Sequence, residues 1–133
     1  MKHLCIEDIE VGLTRDFSTA VTQGKADPFT KCSGDVNPLH LDDEYAKQHG
    51  FPSHVVYGMM TASLYSTLCG VYIPGKYCLL YSVGAKFTKP VFVGDVLTVT
   101  GTVTEVNEIH SYNRAKPFAQ RRGPHLTAGR NRT

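Results

Sequence analysis

Residues 58–71, reading G-M-M-T-A-S-L-Y-S-T-L-C-G-V, carry no charge and place apolar side chains around nearly the whole helical circumference. A helix of that kind has no side to offer water, so the stretch predicts a buried central helix in which Met59 and Met60 are core-packing residues. A chain that buries one helix must also supply something to wrap it. Residues 96–106 alternate, with Leu97, Val99 and Val103 on one side and Thr98, Thr100, Thr102 and Thr104 on the other. That is the pattern of a half-buried antiparallel strand. Leu79, Tyr81, Val83, Ala85 and Phe87 share one face of another strand, with Ser82, Gly84 and Lys86 opposite. Residues 13–21 read as a first strand. There is no βαβ alternation, coiled-coil heptad or internal repeat. The expected class is therefore α+β, a curved antiparallel sheet wrapped around a central helix.

Two shorter helices are expected before the central one. Asp27 followed by Pro28 predicts an N-cap with proline in the first turn and a short helix to about Cys32, since Gly24 and Pro28 would interrupt a longer one. Asp42 or Asp43 can cap a second helix through Gln48, stopped by Gly50 and Pro52.

The length, 133 residues, suits one domain with a real core. Nothing approaches the ~18 apolar residues needed to cross a bilayer. The N-terminus, M-K-H-L-C-I-E-D-I-E, turns acidic where an export signal would turn apolar, so a cytoplasmic setting without membrane association is expected. Cys5, Cys32, Cys69 and Cys78 are widely spaced with no C-x-x-C pair, which predicts reduced thiols rather than a disulfide frame or zinc site. No G-x-G-x-x-G or P-loop is present, so neither a nucleotide cofactor nor phosphoryl transfer is implied.

The net charge of +2 conceals an asymmetry. From Glu108 onward six basic residues (Arg114, Lys116, Arg121, Arg122, Arg130, Arg132) face that single acid. This region has no sustained helical or strand period and two prolines. The chain therefore reads as a domain over 1–107 followed by a basic tail over 108–133, for which loose packing or disorder is the expectation. Lacking a nucleic-acid-binding module or interleaved aromatic residues, the tail reads as a solvated charged segment and no nucleic-acid partner is expected.

The stretch best suited to chemistry is residues 33–40, S-G-D-V-N-P-L-H. Asn37 precedes a proline and is steered away from the α region, so the chain should bend or extend there. Such a bend can bring Asp35 and His40 to one small space, where a carboxylate and an imidazole around one water make a general acid/base pair near neutral pH. The plainer alternative is a polar turn whose side chains satisfy local backbone groups, which is the role expected of Asn37.

Residues 29–46, F-T-K-C-S-G-D-V-N-P-L-H-L-D-D-E-Y-A, resemble the hydratase-2 motif of MaoC-like (R)-specific enoyl-CoA hydratases, whose diagnostic core is S-G-D-x-N-P-x-H. The likeness continues through V-V-Y-G-M-M-T-A-S-L-Y-S (55–66), Pro74-Gly75 and K-F-T-K-P-V-F-V-G-D (86–95). The resemblance implies a hotdog fold, a homodimer, and reversible hydration of trans-2-enoyl thioesters of coenzyme A or acyl-carrier protein, without a cofactor or metal. It places the catalytic pair on Asp35 and His40 and the carbonyl-polarising N–H on Gly58. It also places Ser66 in the lining of the site. Asn37 and Tyr57 stand beside the substrate in the same register. For Ser63, bonding back to its own helix is the plainer expectation.

The sequence departs from the family in two places. Tyr57 stands before Gly58 where the family usually has His, and nothing shows that His54 compensates; an exposed loop histidine is the expectation there. The two strands that normally complete the family's sheet are not legible after Val106. A non-catalytic hotdog that binds acyl thioesters or serves as a partner subunit, or a truncated remnant of one, therefore stays open as an alternative, as does, less favoured, a hotdog thioesterase.

Overall fold

The computed structural model describes residues 4–106, 119–121 and 126–130. The chain forms two compact units, one drawn from Met1–Ser18, Leu64–Ala85 and Thr98–Gly129, the other from Thr19–Ser63, Lys86–Leu97 and Arg130–Thr133. The elements in chain order are β1 (Thr14–Ala20), α1 (Gln23–Ser33), α2 (Asp43–Gln48), α3 (Gly58–Thr67), β2 (Cys78–Leu80), β3 (Val96–Thr102), β4 (Ala119–Arg121) and β5 (Leu126–Arg130). The α+β class expected from the sequence is the class observed.

In the first unit, the sheet order is β1-β3-β5. Thr14 Oγ1 lies 2.8 Å from Thr102 Oγ1 and Ser18 Oγ lies 2.9 Å from Thr98 Oγ1, so β1 and β3 run antiparallel with their hydroxyl faces matched. On the opposite face of β3, Val99 and, just beyond the strand, Val103 are buried, as the alternation requires. They join Ile9, Leu68 and Ile73 in a core against which Leu13, Phe17, Leu64, Tyr65, Tyr72 and Val106 pack. Phe17 and Tyr72 stack with ring centroids 5.0 Å apart. Beyond Thr67 the helix continues as a π-helical turn, Leu68–Tyr72, which buries Leu68 and Cys69.

Three expectations for this unit are corrected. The strand expected over residues 79–87 exists only as Cys78–Leu80, paired in parallel with β4, and Tyr81 and Val83 are exposed. Alternation says which face a strand would bury, but a strand also needs a ladder partner, and among the described residues β4 reaches only those three positions. Strand β3 ends at Thr102 and is shorter than expected, although Val103 still exchanges two backbone bonds with the segment entering β1: its N–H donates to Leu13 O at 2.9 Å and its carbonyl accepts from Gly12 N at 2.8 Å. Conversely, β4 and β5 form in the stretch whose sequence shows no period. The remainder of the 108–133 tail lies outside the described residues.

In the second unit, Val21, Ala26, Ala46, Val56, Tyr57, Ala62 and Leu97 are buried. Val21 exchanges backbone bonds with the loop before β3: its N–H donates to Asp95 O at 2.8 Å and its carbonyl accepts from Gly94 N at 2.9 Å. Helix α1 is longer than expected, beginning at Gln23 with Pro28 inside it. Pro28 has no N–H, so the carbonyl four residues back, that of Gly24 in the first turn, receives no helical bond from it. Side chains hold that turn: Gln23 Nε2 donates to Asp27 Oδ1 at 2.7 Å, and Lys25 Nζ donates to Thr19 Oγ1 and Ala20 O, both at 2.6 Å. Helix α2 is capped by Asp42, whose Oδ1 accepts from the N–H groups of Glu44 (2.8 Å) and Tyr45 (3.1 Å).

Helix α3 is buried on one side only. Met59 is 65% exposed and Met60 half-buried, so Met59 is not the core residue expected. Lack of charge marked the helix as covered all round, but Met59, Ser63, Ser66 and Thr67, at i, i+4, i+7 and i+8, form an exposed stripe along it. Ser63 Oγ donates to Met60 O at 2.7 Å, the back-bond expected of it.

Candidate functional site

The loop from Gly34 to His40 lies in the second unit, and its shape follows from its sequence step by step. Gly34 closes α1 at φ 72°, a left-handed conformation that glycine adopts freely, while its N–H donates to Thr30 O. The Ser33 hydroxyl accepts from the N–H of Asp35 at 3.2 Å. Asp35 Oδ1 accepts from the N–H of Asn37 at 3.1 Å, and Asn37 Oδ1 accepts from the N–H of Leu39 at 2.9 Å. These are two successive turns of the kind Asp and Asn side chains build. Asn37 has φ −57° and ψ 127°, the extended conformation imposed by the proline that follows, and Pro38–His40 forms one 3₁₀ turn.

Those turns bring Asp35 and His40 together. Asp35 Oδ2 lies 3.9 Å from His40 Nε2, with the carboxylate side chain 47% exposed and the imidazole 17% exposed. The other ring nitrogen, Nδ1, is 2.6 Å from the carbonyl oxygen of Val55. A carbonyl can only accept, so Nδ1 carries a proton and neutral His40 turns its lone pair at Nε2 toward Asp35. Each partner thus has one polar atom occupied and one turned to the shared space.

Tyr57 fixes the loop from below. It is 2% exposed, and its hydroxyl donates to the backbone carbonyl of Asp35 at 2.9 Å. Thr30 Oγ1 lies 2.7 Å from the same phenolic oxygen. The Tyr57 ring sits 4.2 Å from the His40 ring and 5.2 Å from Phe29, measured between centroids. Thr30, Val55 and Phe29 were not among the residues singled out from the sequence. Their separations from the residues they touch leave no local signal.

Gly58 opens α3, where the first-turn N–H groups have no partner within the helix. A Cβ built on Gly58 would meet the Phe87 ring at 3.2 Å, so an aromatic ring lies directly over this helix end. Ser66 is exposed on α3 and falls in the first unit.

His54 is not the exposed loop histidine expected from the sequence. Its side chain is 20% exposed. Its backbone N–H and Nδ1 both meet Asp43 Oδ1, at 2.9 and 2.5 Å, and Nε2 lies 3.2 Å from Gln23 Oε1. The backbone N–H of His54, and after it the ring, hold the Asp43 carboxyl below its ordinary range.

Comparison with known proteins identifies the family of the chain. The MaoC like domain matches residues 8–117. An (R)-specific enoyl-CoA hydratase of Aeromonas caviae is 37% identical over 102 residues, which cover 77% of this chain and 76% of that protein. A 3-hydroxybutyryl-CoA dehydratase of Methylorubrum extorquens is 32% identical over 106 residues, covering 80% and 68%. Among solved structures, the (R)-hydratase of A. caviae superposes with a TM-score of 0.73 at 37% identity, covering 77% of this chain and 78% of that one. The fold is that of the hotdog hydratases and dehydratases, and the chain belongs to the MaoC-like domain family.

Proposed function

We propose that this lyase hydrates trans-2-enoyl thioesters reversibly to (R)-3-hydroxyacyl thioesters, with Asp35 and His40 acting on one water. The observation that carries the reading is the 3.9 Å separation of Asp35 Oδ2 and His40 Nε2, each left over once its neighbouring polar atom is engaged. That separation is too long for a direct hydrogen bond and short enough for one water to touch both atoms. The water oxygen adds to C3 while its proton passes to the pair, and a proton is returned to C2. Negative charge gathers on the thioester oxygen meanwhile. The N–H of Gly58, at the positive end of α3, suits that charge, and the space that a side chain would take there is filled by the Phe87 ring. Asn37 shapes the loop. Tyr57 holds the Asp35 backbone and His40 ring, so its role is positioning rather than the direct substrate contact expected in sequence register.

The curated relatives include enzymes named for coenzyme A thioesters and others named for acyl-carrier-protein thioesters, and coenzyme A is the carrier proposed here. A cytoplasmic homodimer completes the proposal. The exposed apolar run Leu79, Leu80, Tyr81 and Val83 in the first unit supports self-association, which light scattering in solution measures directly. The activity is tested with crotonyl-CoA by following loss of the enoyl-thioester absorbance. Wild type should turn over, and Asp35→Ala and His40→Ala should each lose at least ~10²-fold in kcat, the size of a general acid/base contribution. Folded wild type without turnover, or either variant with full turnover, would refute the reading.

A further inference from the structure

We propose that Cys69 and Cys78, in the first unit, form an oxidisable dithiol that closes to an intramolecular disulfide and so ties the π-helical turn after α3 to strand β2. Nothing in the hydration chemistry uses either thiol.

The two residues are apart in sequence and brought together by a specific backbone fold. Cys69 sits in the π-helical turn and Cys78 opens β2, which lies against that turn. The carbonyl of Cys69 accepts from the N–H of Gly75 at 2.9 Å, and the carbonyl of Gly75 accepts from the N–H of Cys78 at 2.9 Å. Gly75 thus links the two cysteines through its own two backbone bonds, and its φ of 89° makes the turn that allows it. Both cysteines are free, and each thiol shifts the ionisation of the other.

The pair is chemically unequal. Cys69 is buried and Cys78 half-buried, so an oxidant in solution meets Cys78 first. The Cys69 thiol favours the thiolate of Cys78, lowering it to about 7, while the Cys78 thiol and burial push Cys69 far up. A thiolate is the form that attacks a peroxide. With hydrogen peroxide as the two-electron oxidant, Cys78 sulfur attacks one peroxide oxygen, the O–O bond breaks and one water leaves. The product at Cys78 is a sulfenic acid. Cys69 sulfur then attacks that sulfur, the S–O bond breaks and a second water leaves. The two thiols are oxidised, the peroxide is reduced, and the two thiol protons end in the two waters. Cys5 and Cys32 are exposed, and neither has a thiol partner among the described residues, so they are the internal controls.

The test uses the full chain with Cys5→Ser and Cys32→Ser, fully reduced and then treated with equimolar hydrogen peroxide. Intact mass should fall by two hydrogen atoms in a monomeric species, reversibly with dithiothreitol, and peptide mapping should find residues 69 and 78 cross-linked. In the same background, Cys69→Ser should stop at a sulfenic acid on Cys78 that dimedone traps. Cys78→Ser should react with peroxide at least ~10-fold more slowly, as expected once the accessible thiolate is removed. Addition of one or more oxygens without loss of hydrogen, disulfide-linked dimers in place of the internal cross-link, or equal reactivity of the two single variants would overturn the proposal. Turnover of crotonyl-CoA by the reduced protein is measured separately, so a failure of one result is not read as a failure of the other.

Discussion

Replacing Tyr57 by Phe isolates one hydroxyl. The Phe side chain keeps the ring against His40 and Phe29, and removes only the group that donates to the Asp35 carbonyl and meets Thr30 Oγ1. A neutral intramolecular hydrogen bond contributes about 1 kcal/mol net, and stranding a buried partner adds to that. Here the stranding is small on both sides. The contact with the Asp35 carbonyl is half-buried on an otherwise exposed loop, and Thr30 retains the Ala26 carbonyl at 3.1 Å. The cost should therefore be about 1–2 kcal/mol, or a Tm lowered by roughly 3–8 °C for a domain of this size. Activity should fall further than stability explains, because the hydroxyl holds the backbone from which the Asp35 carboxylate projects. We expect kcat for crotonyl-CoA to drop about 10-fold, worth about 1.4 kcal/mol of transition-state positioning, with KM nearly unchanged. Circular-dichroism melts and steady-state kinetics on the same preparation make the measurement. A Tm shift of the expected size with kcat within about twofold of wild type would show that the hydroxyl only stabilises the fold. A raised KM with unchanged kcat would place Tyr57 on the substrate instead, and either result refutes the positioning argument.

Gly58→Ala should separate chemistry from folding in the opposite sense. The new methyl needs the Phe87 ring to yield a few tenths of an ångström, which a 54% exposed ring does readily, and Ala is the better helix former by ~1 kcal/mol. Melting should thus change by less than ~3 °C while kcat/KM falls ~10-fold or more, because the methyl stands beside the proposed oxyanion donor. Asp42→Ala removes the cap of α2 and should cost ~1 kcal/mol in a denaturant melt without altering kcat. For Asp43 the folded carboxyl titrates below its ordinary range, held there first by the His54 backbone N–H. Its contribution to stability is therefore complete above the unfolded carboxylate's pKa and is lost as the pH falls through the lower folded value. The Tm difference between wild type and Asp43→Asn should be present at neutral pH and shrink toward zero along the acid limb; a difference that grows with acid would contradict the assignment.

The parts of this fold that were legible from sequence are those where local pattern and tertiary partner agree. Residues 96–102 alternate, and β1 stands alongside to complete the ladder, so the strand and its buried face came out as expected. Residues 79–87 alternate as well, but beyond Leu80 no described strand pairs with them, and periodicity has no means of reporting a missing neighbour. Helix α1 was misjudged for the converse reason. Gly24 and Pro28 are unfavourable by local propensity, yet the bonds of Gln23 and Lys25 anchor the first turn, and such contacts carry no signature in the sequence. The same division runs through the site. Its i to i+2 turns were readable from Asp, Asn and Pro, whereas Thr30, Val55 and the use made of Tyr57 depend on contacts across 15 to 27 positions.

That division also says where the proposed site is most sensitive. Ser33, Asp35 and Asn37 set the shape of the loop through exposed hydrogen bonds, each one of several and each open to replacement by water. The place of the loop rests on fewer and better protected contacts: Tyr57 to the Asp35 carbonyl, and His40 to the Val55 carbonyl. The second also chooses the tautomer, since only with the proton on Nδ1 does neutral His40 present a lone pair at Nε2 to the shared space. Shape and protonation state are therefore supplied by different parts of the chain. The motif at residues 33–40 is necessary for the geometry but does not by itself orient it. Tyr57 is where this chain departs from the family's usual histidine, and it is also the residue that joins α1, the loop and the His40 ring into one packed group. A phenol reaches farther from the backbone than an imidazole, and that reach spans the gap to the Asp35 carbonyl. The substitution leaves the backbone N–H of Gly58 untouched, so at this position a change of side chain acts on the proposed acid/base pair and not on the proposed oxyanion donor.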